Sequence, residues 1–486
     1  MGVLDEHHFR QKNITMSGTP STLFQLARHS LLTEEALVIS ALEQLPIHLF
    51  STLFKGGFTD RHTKVLTAVV SAWPFPYLPV GALIDNLDLE TLKALLDGLN
   101  VLLTKKVHSS RCKLRMLDLR RNVKYNFNSI QVGSHEDNGS PQTCPHPRRR
   151  LYFKVVTDFE LTEAGLDEWI IYLLQWVKQR KSSVHLCCRK LHSCALPVST
   201  VRKVLKLVDL NCILELRLSQ WLLEFLVDLV PYLEQMSNLQ TLVLEGIQEP
   251  FSATTCEDQE DEWHSTLLSM LPNFVRLQNL CLNDIYLLED SLDKWLSCLT
   301  TPLETLSIIG CHRLLQSDFE YLPHCVNIRK LKHLNLNGIF LCDILPKLPG
   351  LILENVSSTL QILELEQCGM TDSHFKALLP ALSKCSRLLK VNFYKNDHIS
   401  LLVLKDLLCH TAKLSQLTEE LYPAPLECYE GNKILKDKFK QFCPELLDLL
   451  RALRKPKKVS FATRSCWECS HSCYYSNLGA TDCLCH

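Results

Sequence analysis

The sequence has no apolar run near the ~20 residues that a membrane-spanning helix needs, so no membrane partner is expected. It also lacks an excess of charge: 52 Lys and Arg stand against 53 Asp and Glu, a net charge of −1 at pH 7. A binder of nucleic-acid phosphates usually presents a strongly basic face, so no direct nucleic-acid partner is expected either. The opening residues MGVLDEHHFRQKN contain no apolar signal core, and Glu6 stands where a myristoylation signal needs Ser or Thr. These absences set the expectation of a cytoplasmic protein whose thiols stay reduced. GxSxG, HExxH, GxGxxG and phosphate-loop motifs are missing, and no His/Cys/acid group has useful spacing. The chain is therefore not expected to be an enzyme.

What is present is length, leucine and cysteine. The chain has 486 residues, 46% of them hydrophobic, and 22 cysteines. Such a length permits about three domains, or one elongated repeat domain. The repeat reading wins, because the pattern L-x-x-L-x-L-x-x-(C/N/I) recurs through the second half. It starts at Ile213, Leu239, Leu277, Leu303, Leu331, Leu360 and Leu388, at intervals of 26, 38, 26, 28, 29 and 28 residues. The long interval holds the acidic insert Glu257 to Glu262. Leucines at the fourth and sixth positions point inward from a short strand, and the residues between them point outward. Segments of helical period follow each strand, as at 371–379, where Thr371 or Asp372 would cap the helix. The expected fold is α/β: a leucine-rich-repeat horseshoe, strands concave and helices convex, capped at both ends.

The repeat region is taken as 111–425, with irregular first repeats at KLRMLDLRRN and at Val184 to Cys188, and a surface loop over 126–150. An amphipathic helix is expected from Thr162 to Arg180. Residues 16–110 read as a helical N-terminal cap, with a helix ended by Pro46, a rigid non-helical turn at Trp73 to Pro79, and a helix over Leu87–Leu103. The outward strand positions offer a mixed surface for an unidentified protein target. They include Glu215, Arg217, Thr241, Glu245, Asn279, Thr305, Ser307, His333, Asn335, Glu364, Glu366, Asn392 and Tyr394.

Two shorter patterns stand at the ends. TLFQLARHSL, residues 22–31, fits (S/T)-L-x-x-x-(C/A)-x-x-x-L, with Leu23, Ala27 and Leu31 on one helical face. It resembles the elongin-C-binding box of cullin-RING substrate receptors, and Leu45-Pro46-Ile47 resembles the following element that favours cullin-2. The alternative for such apolar spacing is helix core. At the other end, 426–486 form a C-terminal cap with a Cys-rich tail. Cys466, Cys469, Cys483 and Cys485 could give four thiolates to a structural Zn²⁺, or the tail could be merely Cys-rich. The basic run Arg454 to Lys458 fits a nuclear-import signal or a solvated helix end equally well.

Together, SLLTEEALVISALEQLP, LFKGGFTDRH, AWPFPYLPVGALI, KLRMLDLRRN, VHLCCRKL, LKHLNLNG, LKDLLCHTAKLSQL and LYPAPLECY resemble the PRAME family of leucine-rich-repeat proteins. The resemblance covers residues 16–486 in order and leaves 1–15 as an extension, expected to be disordered. It implies a ribonuclease-inhibitor-like horseshoe and a role as substrate receptor of a cullin-2/elongin B–C ubiquitin ligase. It puts Leu23, Ala27 and Leu31 at the elongin C contact, with Pro46 and Ile47 near the cullin. The family also implies an alternative: a transcriptional co-repressor in germline or embryonic cell-fate control, which also bears on proliferation and apoptosis. Four LxxLL windows, 92–96, 99–103, 404–408 and 446–450, would serve that reading. CWEC departs from the family's C-P-x-C-G pattern at Pro and Gly.

Overall fold

The computed structural model describes residues 32, 34–83, 87–104, 112–121, 152–162, 164–248, 257–288 and 290–481. They fall into two compact units, Met1–Val156 with Ser182–Val184, and Thr157–Lys181 with His185–His486.

In the first unit, helices Glu35–Ala41, Phe50–Thr59, Thr63–Ser71 and Leu89–Thr104 pack beside strands β1 (Tyr77–Pro79) and β2 (Met116–Asp118). Trp73 is fully buried and meets Phe50 and Phe54 edge-on at centroid distances of 6.2 and 5.9 Å. Its indole N–H donates to the Tyr77 carbonyl at 3.0 Å. The segment expected as a plain turn therefore contains a strand: β1 pairs in parallel with β2 through Tyr77 and Met116, Leu78 and Leu117, Pro79 and Asp118, and β2 pairs in parallel with β3 (Phe153–Leu161) through Met116 and Lys154, Leu117 and Val155, Asp118 and Val156. Alternation misses a strand of three residues that is buried throughout. The helix before Pro46 ends at Ala41, and a 3₁₀ turn, Ile47–Leu49, follows the proline. Helix Thr63–Ser71 packs closely on Leu89–Thr104 because Gly98 has no side chain. A Cβ there would lie 2.7 Å from the Thr67 carbonyl oxygen.

The second unit is a leucine-rich-repeat solenoid. The strands β4 (Val184–Cys194), β5 (Glu215–Ser219), β6 (Thr241–Glu245), β7 (Asn279–Asn283), β8 (Thr305–Ile309), β9 (His333–Asn335), β10 (Ile362–Glu364), β11 (Lys390–Asn392) and β12 (Glu419–Pro423) run in sequential order. Each is parallel to the next. The register aligns the repeats: Leu216, Leu242, Leu280, Leu306 and Leu334 form one buried row. Lys458–Ala462 extends the sheet in parallel, and Tyr474–Ser476 and Gly479–Thr481 close it antiparallel. The acidic insert is accommodated as a helix, Glu257–Ser269. The helix expected from Thr162 begins only at Glu168, because the chain first turns at Gly165, with φ +105°.

At the ninth repeat position a polar side chain can hold the turn after the strand, as it does after β11. Asn396, fully buried, accepts from the N–H groups of Cys368 and Met370 at 3.1 Å each. Its Nδ2 donates to the carbonyls of Leu365 at 2.7 Å and Phe393 at 2.9 Å. Cysteine does part of this at Cys311, whose thiol lies 3.5 Å from the Ile285 N–H. One residue with positive φ follows most strands, at Gln220, Gly246, Asp284, Gly310, Gly338, Gln367 and Lys395. These bends repeat with the same intervals as the leucines.

Candidate functional site

The outward face of the second unit's sheet is built by strand alternation, because the inward positions are core leucines or other apolar residues, with Ser193 and Glu420 as polar exceptions. Its charges are paired across neighbouring strands. Glu215 accepts from Lys190 at 2.6 Å and lies 3.0 Å from His192. Arg217, exposed, lies 3.9 Å from Glu245. On the other flank, Glu364 meets His333 at 3.4 Å and Lys390 at 2.7 Å, while Glu366 meets Lys395 at 2.8 Å. The hydrogen bond with His333 outweighs the opposing effect of burial. With Lys390, it holds the Glu364 carboxyl down at about 2.

Between these flanks the face is almost uncharged. Of the nine outward positions on β6–β8, Glu245 alone carries charge. The others are Thr241, Val243, Asn279, Cys281, Asn283, Thr305, Ser307 and Ile309. Val243, Cys281 and Ser307 lie side by side in register. An uncharged centre within a charged margin matches the anatomy of protein interfaces, where charged residues are depleted at the core.

Most of the predicted surface residues are half-buried or exposed on this face, including Thr305, Glu366 and Tyr394. Three are not available as expected: Ser307, Asn335 and Asn392 are buried, at 5%, 7% and 5% exposure. Short side chains sink beneath longer neighbours here. Asn335 Nδ2 donates to Glu364 at 2.8 Å, and Asn392 Nδ2 donates to Glu366 at 2.9 Å. The hydroxyls of Tyr394 and Ser460 are hydrogen-bonded partners.

Leu23, Ala27 and Leu31 lie outside the described residues, as do Cys483 and Cys485. Pro46 and Ile47 are exposed, Ile47 at 51%, and Leu37 and Ile39 on the preceding helix are exposed too. Cys466 and Cys469 are half-buried, and among the described residues no third ligand joins them in a metal-sized group. Leu92, Leu95, Leu96, Leu404, Leu407 and Leu408 are all buried, so the LxxLL windows 92–96 and 404–408 serve packing. The basic run is engaged at both ends, while Lys455 and Lys457 are exposed. Arg454 pairs with the buried Glu420, and Lys458 meets Glu419 at 2.5 Å.

One cluster overturns the expectation that no His/Cys/acid group is usefully spaced: His185, Cys187, Asp209 and Cys212 converge. The Cys212 thiol is pushed up by its contact with Cys187 and by burial. Burial would raise the Asp209 carboxyl, but hydrogen bonds with Cys212, His185 and the Asn211 N–H outweigh it and hold it low. The sequence signal is His-x-Cys followed by Asp-x-x-Cys, easily passed over because 21 residues separate the halves.

Residues 20–128 match the family description "PRAME N-terminal domain", and residues 153–485 match "PRAME C-terminal domain". The chain is 48% identical to mouse (Mus musculus) oogenesin-3 over 467 residues, 94% of this chain and 92% of that protein. It is 41% identical to human (Homo sapiens) PRAME family member 8 over 475 residues, 96% of this chain and 99% of that protein. Among solved structures, the yeast Rad7 and Elc1 complex is similar with a TM-score of 0.41 and 13% identity, over 83% of this chain and 93% of that chain.

Proposed function

The chain belongs to the PRAME family, and on that premise we propose that it is the substrate-recognition adaptor of a cullin-2/elongin B–C RING ubiquitin ligase. Family and fold support a protein-interaction role, and the adaptor reading is the specific form of it advanced here. In this reading the segment 22–31 docks elongin C through Leu23, Ala27 and Leu31, and Pro46 and Ile47 approach the cullin. The sheet face over β6–β8 receives the target. The observation that carries the target site is the uncharged centre of the face, where the half-buried Thr241, Asn279, Cys281, Thr305 and Ile309 lie between paired charges. The exposed Ile47 behind Pro46 supports the cullin side. The mechanism is proximity: the adaptor holds a target lysine near the conjugating enzyme and needs no catalytic residue of its own.

The co-repressor alternative has no direct contact at the 92–96 and 404–408 windows, whose leucines are core. The test compares proteins co-purifying with wild type, Leu23→Asp and Cys281→Arg. Targets are retained by Leu23→Asp, become more abundant in its presence, and are lost with Cys281→Arg. An identical protein set with all three chains contradicts the reading.

A further inference from the structure

Four side chains that the adaptor reading leaves unused meet where β4 begins. His185 and Cys187 stand on β4, while Asp209 caps and Cys212 ends the 3₁₀ turn Leu210–Cys212 before β5. Backbone ties hold the two segments together: Leu186 and Val208 form a parallel bridge, and the Asp209 N–H donates to the Leu186 carbonyl at 2.9 Å. Cys212 Sγ lies 2.8 Å from Cys187 Sγ and 3.3 Å from Asp209 Oδ2, and His185 Nε2 lies 2.7 Å from Asp209 Oδ2. One ligand atom from each residue lies within 4.8 Å of all the others, the one such group among the described residues.

We propose that His185 Nε2, Cys187 Sγ, Asp209 Oδ2 and Cys212 Sγ form a structural site for a zinc-class divalent cation. Zinc bonds of about 2.3 Å to sulfur and about 2.0–2.2 Å to nitrogen or oxygen separate tetrahedral ligand atoms by roughly 3.3–3.8 Å. The shortest contacts here must open by about 1 Å to reach that spacing. With Cys187 anchored at 1% exposure, the half-buried Cys212 supplies the opening of the sulfur pair, and the His185 and Asp209 side chains, 42% and 27% exposed, supply the rest. Asp209 Oδ1 is already held by the Asn211 N–H at 3.0 Å, which leaves Oδ2 turned to the cluster.

Two thiolates with an imidazole favour zinc over the oxygen-seeking Mg²⁺ and Ca²⁺. Each thiol releases its proton to solvent and gives a sulfur lone pair to the metal. Four protein ligands complete the coordination sphere, so the cation fastens the turn before β5 to β4 and has no catalytic position open. The simpler account of buried cysteines is apolar packing. It does not explain why a carboxylate, itself bonded to an imidazole, lies against one of two paired sulfurs.

The site is independent of the adaptor role and is tested on the full chain carrying Ser at Cys466, Cys469, Cys483 and Cys485, so that the tail cannot contribute. After dialysis against Zn²⁺, about one equivalent remains bound per chain, and Co²⁺ gives thiolate-to-metal charge-transfer absorption. Asp209→Asn, which preserves the side chain's shape, weakens Co²⁺ binding at least about tenfold. Cys187→Ser with Cys212→Ser abolishes the charge-transfer bands. If that double variant does not fold, the cobalt spectrum of the chain with both thiols intact decides alone. Zinc below about 0.2 equivalents, or cobalt bound without thiolate bands, overturns the proposal. So does a mass lower by two hydrogens that maps to a Cys187–Cys212 disulfide.

Discussion

The fully buried carboxylate of Glu420 is paired with the guanidinium of Arg454, while its second oxygen accepts from the Tyr422 hydroxyl at 2.7 Å. Thr411 continues the chain, its hydroxyl 2.8 Å from that of Tyr422. Removing one partner strands the other in the core. Arg454→Met is therefore expected to cost about 3–5 kcal/mol. Chemical denaturation of Arg454→Met, Glu420→Gln and the double variant checks this, with the double variant losing less than the two single losses combined.

Gly98 sets a competition between two effects of opposite sign. Alanine in a helix interior is favoured over glycine by about 1 kcal/mol. At Gly98, however, the new Cβ would meet the Thr67 carbonyl oxygen at 2.7 Å and Val70 Cβ at 2.8 Å. Overpacking of that kind costs about 1–3 kcal/mol, and the obstacle includes rigid backbone. Gly98→Ala should lower the thermal midpoint, and Gly98→Val should lower it further.

Glu364 links stability to acid. Its carboxyl titrates near 2 in the folded chain, below its ordinary 4.5, because His333 and Lys390 favour the ionised form. A depressed carboxylate contributes its full stabilisation above the unfolded value and loses it as pH falls through the folded one. The midpoint difference between wild type and Glu364→Gln should therefore be largest above pH 4.5 and shrink toward pH 2. A difference that grows on acidification contradicts the pairing.

Asn396 tests the repeat itself. Asn396→Ala leaves two buried N–H groups and two carbonyls without their partner, at about 1–3 kcal/mol for each group left unsatisfied. Asn396→Cys should recover part of the loss, since Cys311 occupies the equivalent position and still reaches one N–H. Denaturation midpoints ordered Asn, Cys, Ala from high to low would support this account.

The leucine rows were legible in the sequence because a fixed interval and a buried side chain follow from the same stacking. Leu216 through Leu334 occupy the core row that the spacing implies. The burial of Ser307, Asn335 and Asn392 was not legible. It depends on the length of side chains on neighbouring strands, not on position within a strand. The β1 strand escaped because its three residues are all buried and show no alternation. The His185 cluster escaped for another reason: its ligands come from a strand and from a turn 22 residues on, and it takes tertiary backbone ties, among them the parallel bridge at Leu186 and Val208, to join them.

The adaptor account is tested most directly by mixing the purified full chain with elongin B–C and cullin-2 and measuring complex mass by light scattering after size exclusion. The account predicts a stable complex for wild type and for Cys281→Arg, and its loss for Leu23→Asp. Absence of any complex with wild type contradicts the ligase role. A complex unchanged by Leu23→Asp contradicts the assignment of residues 22–31 as its docking helix.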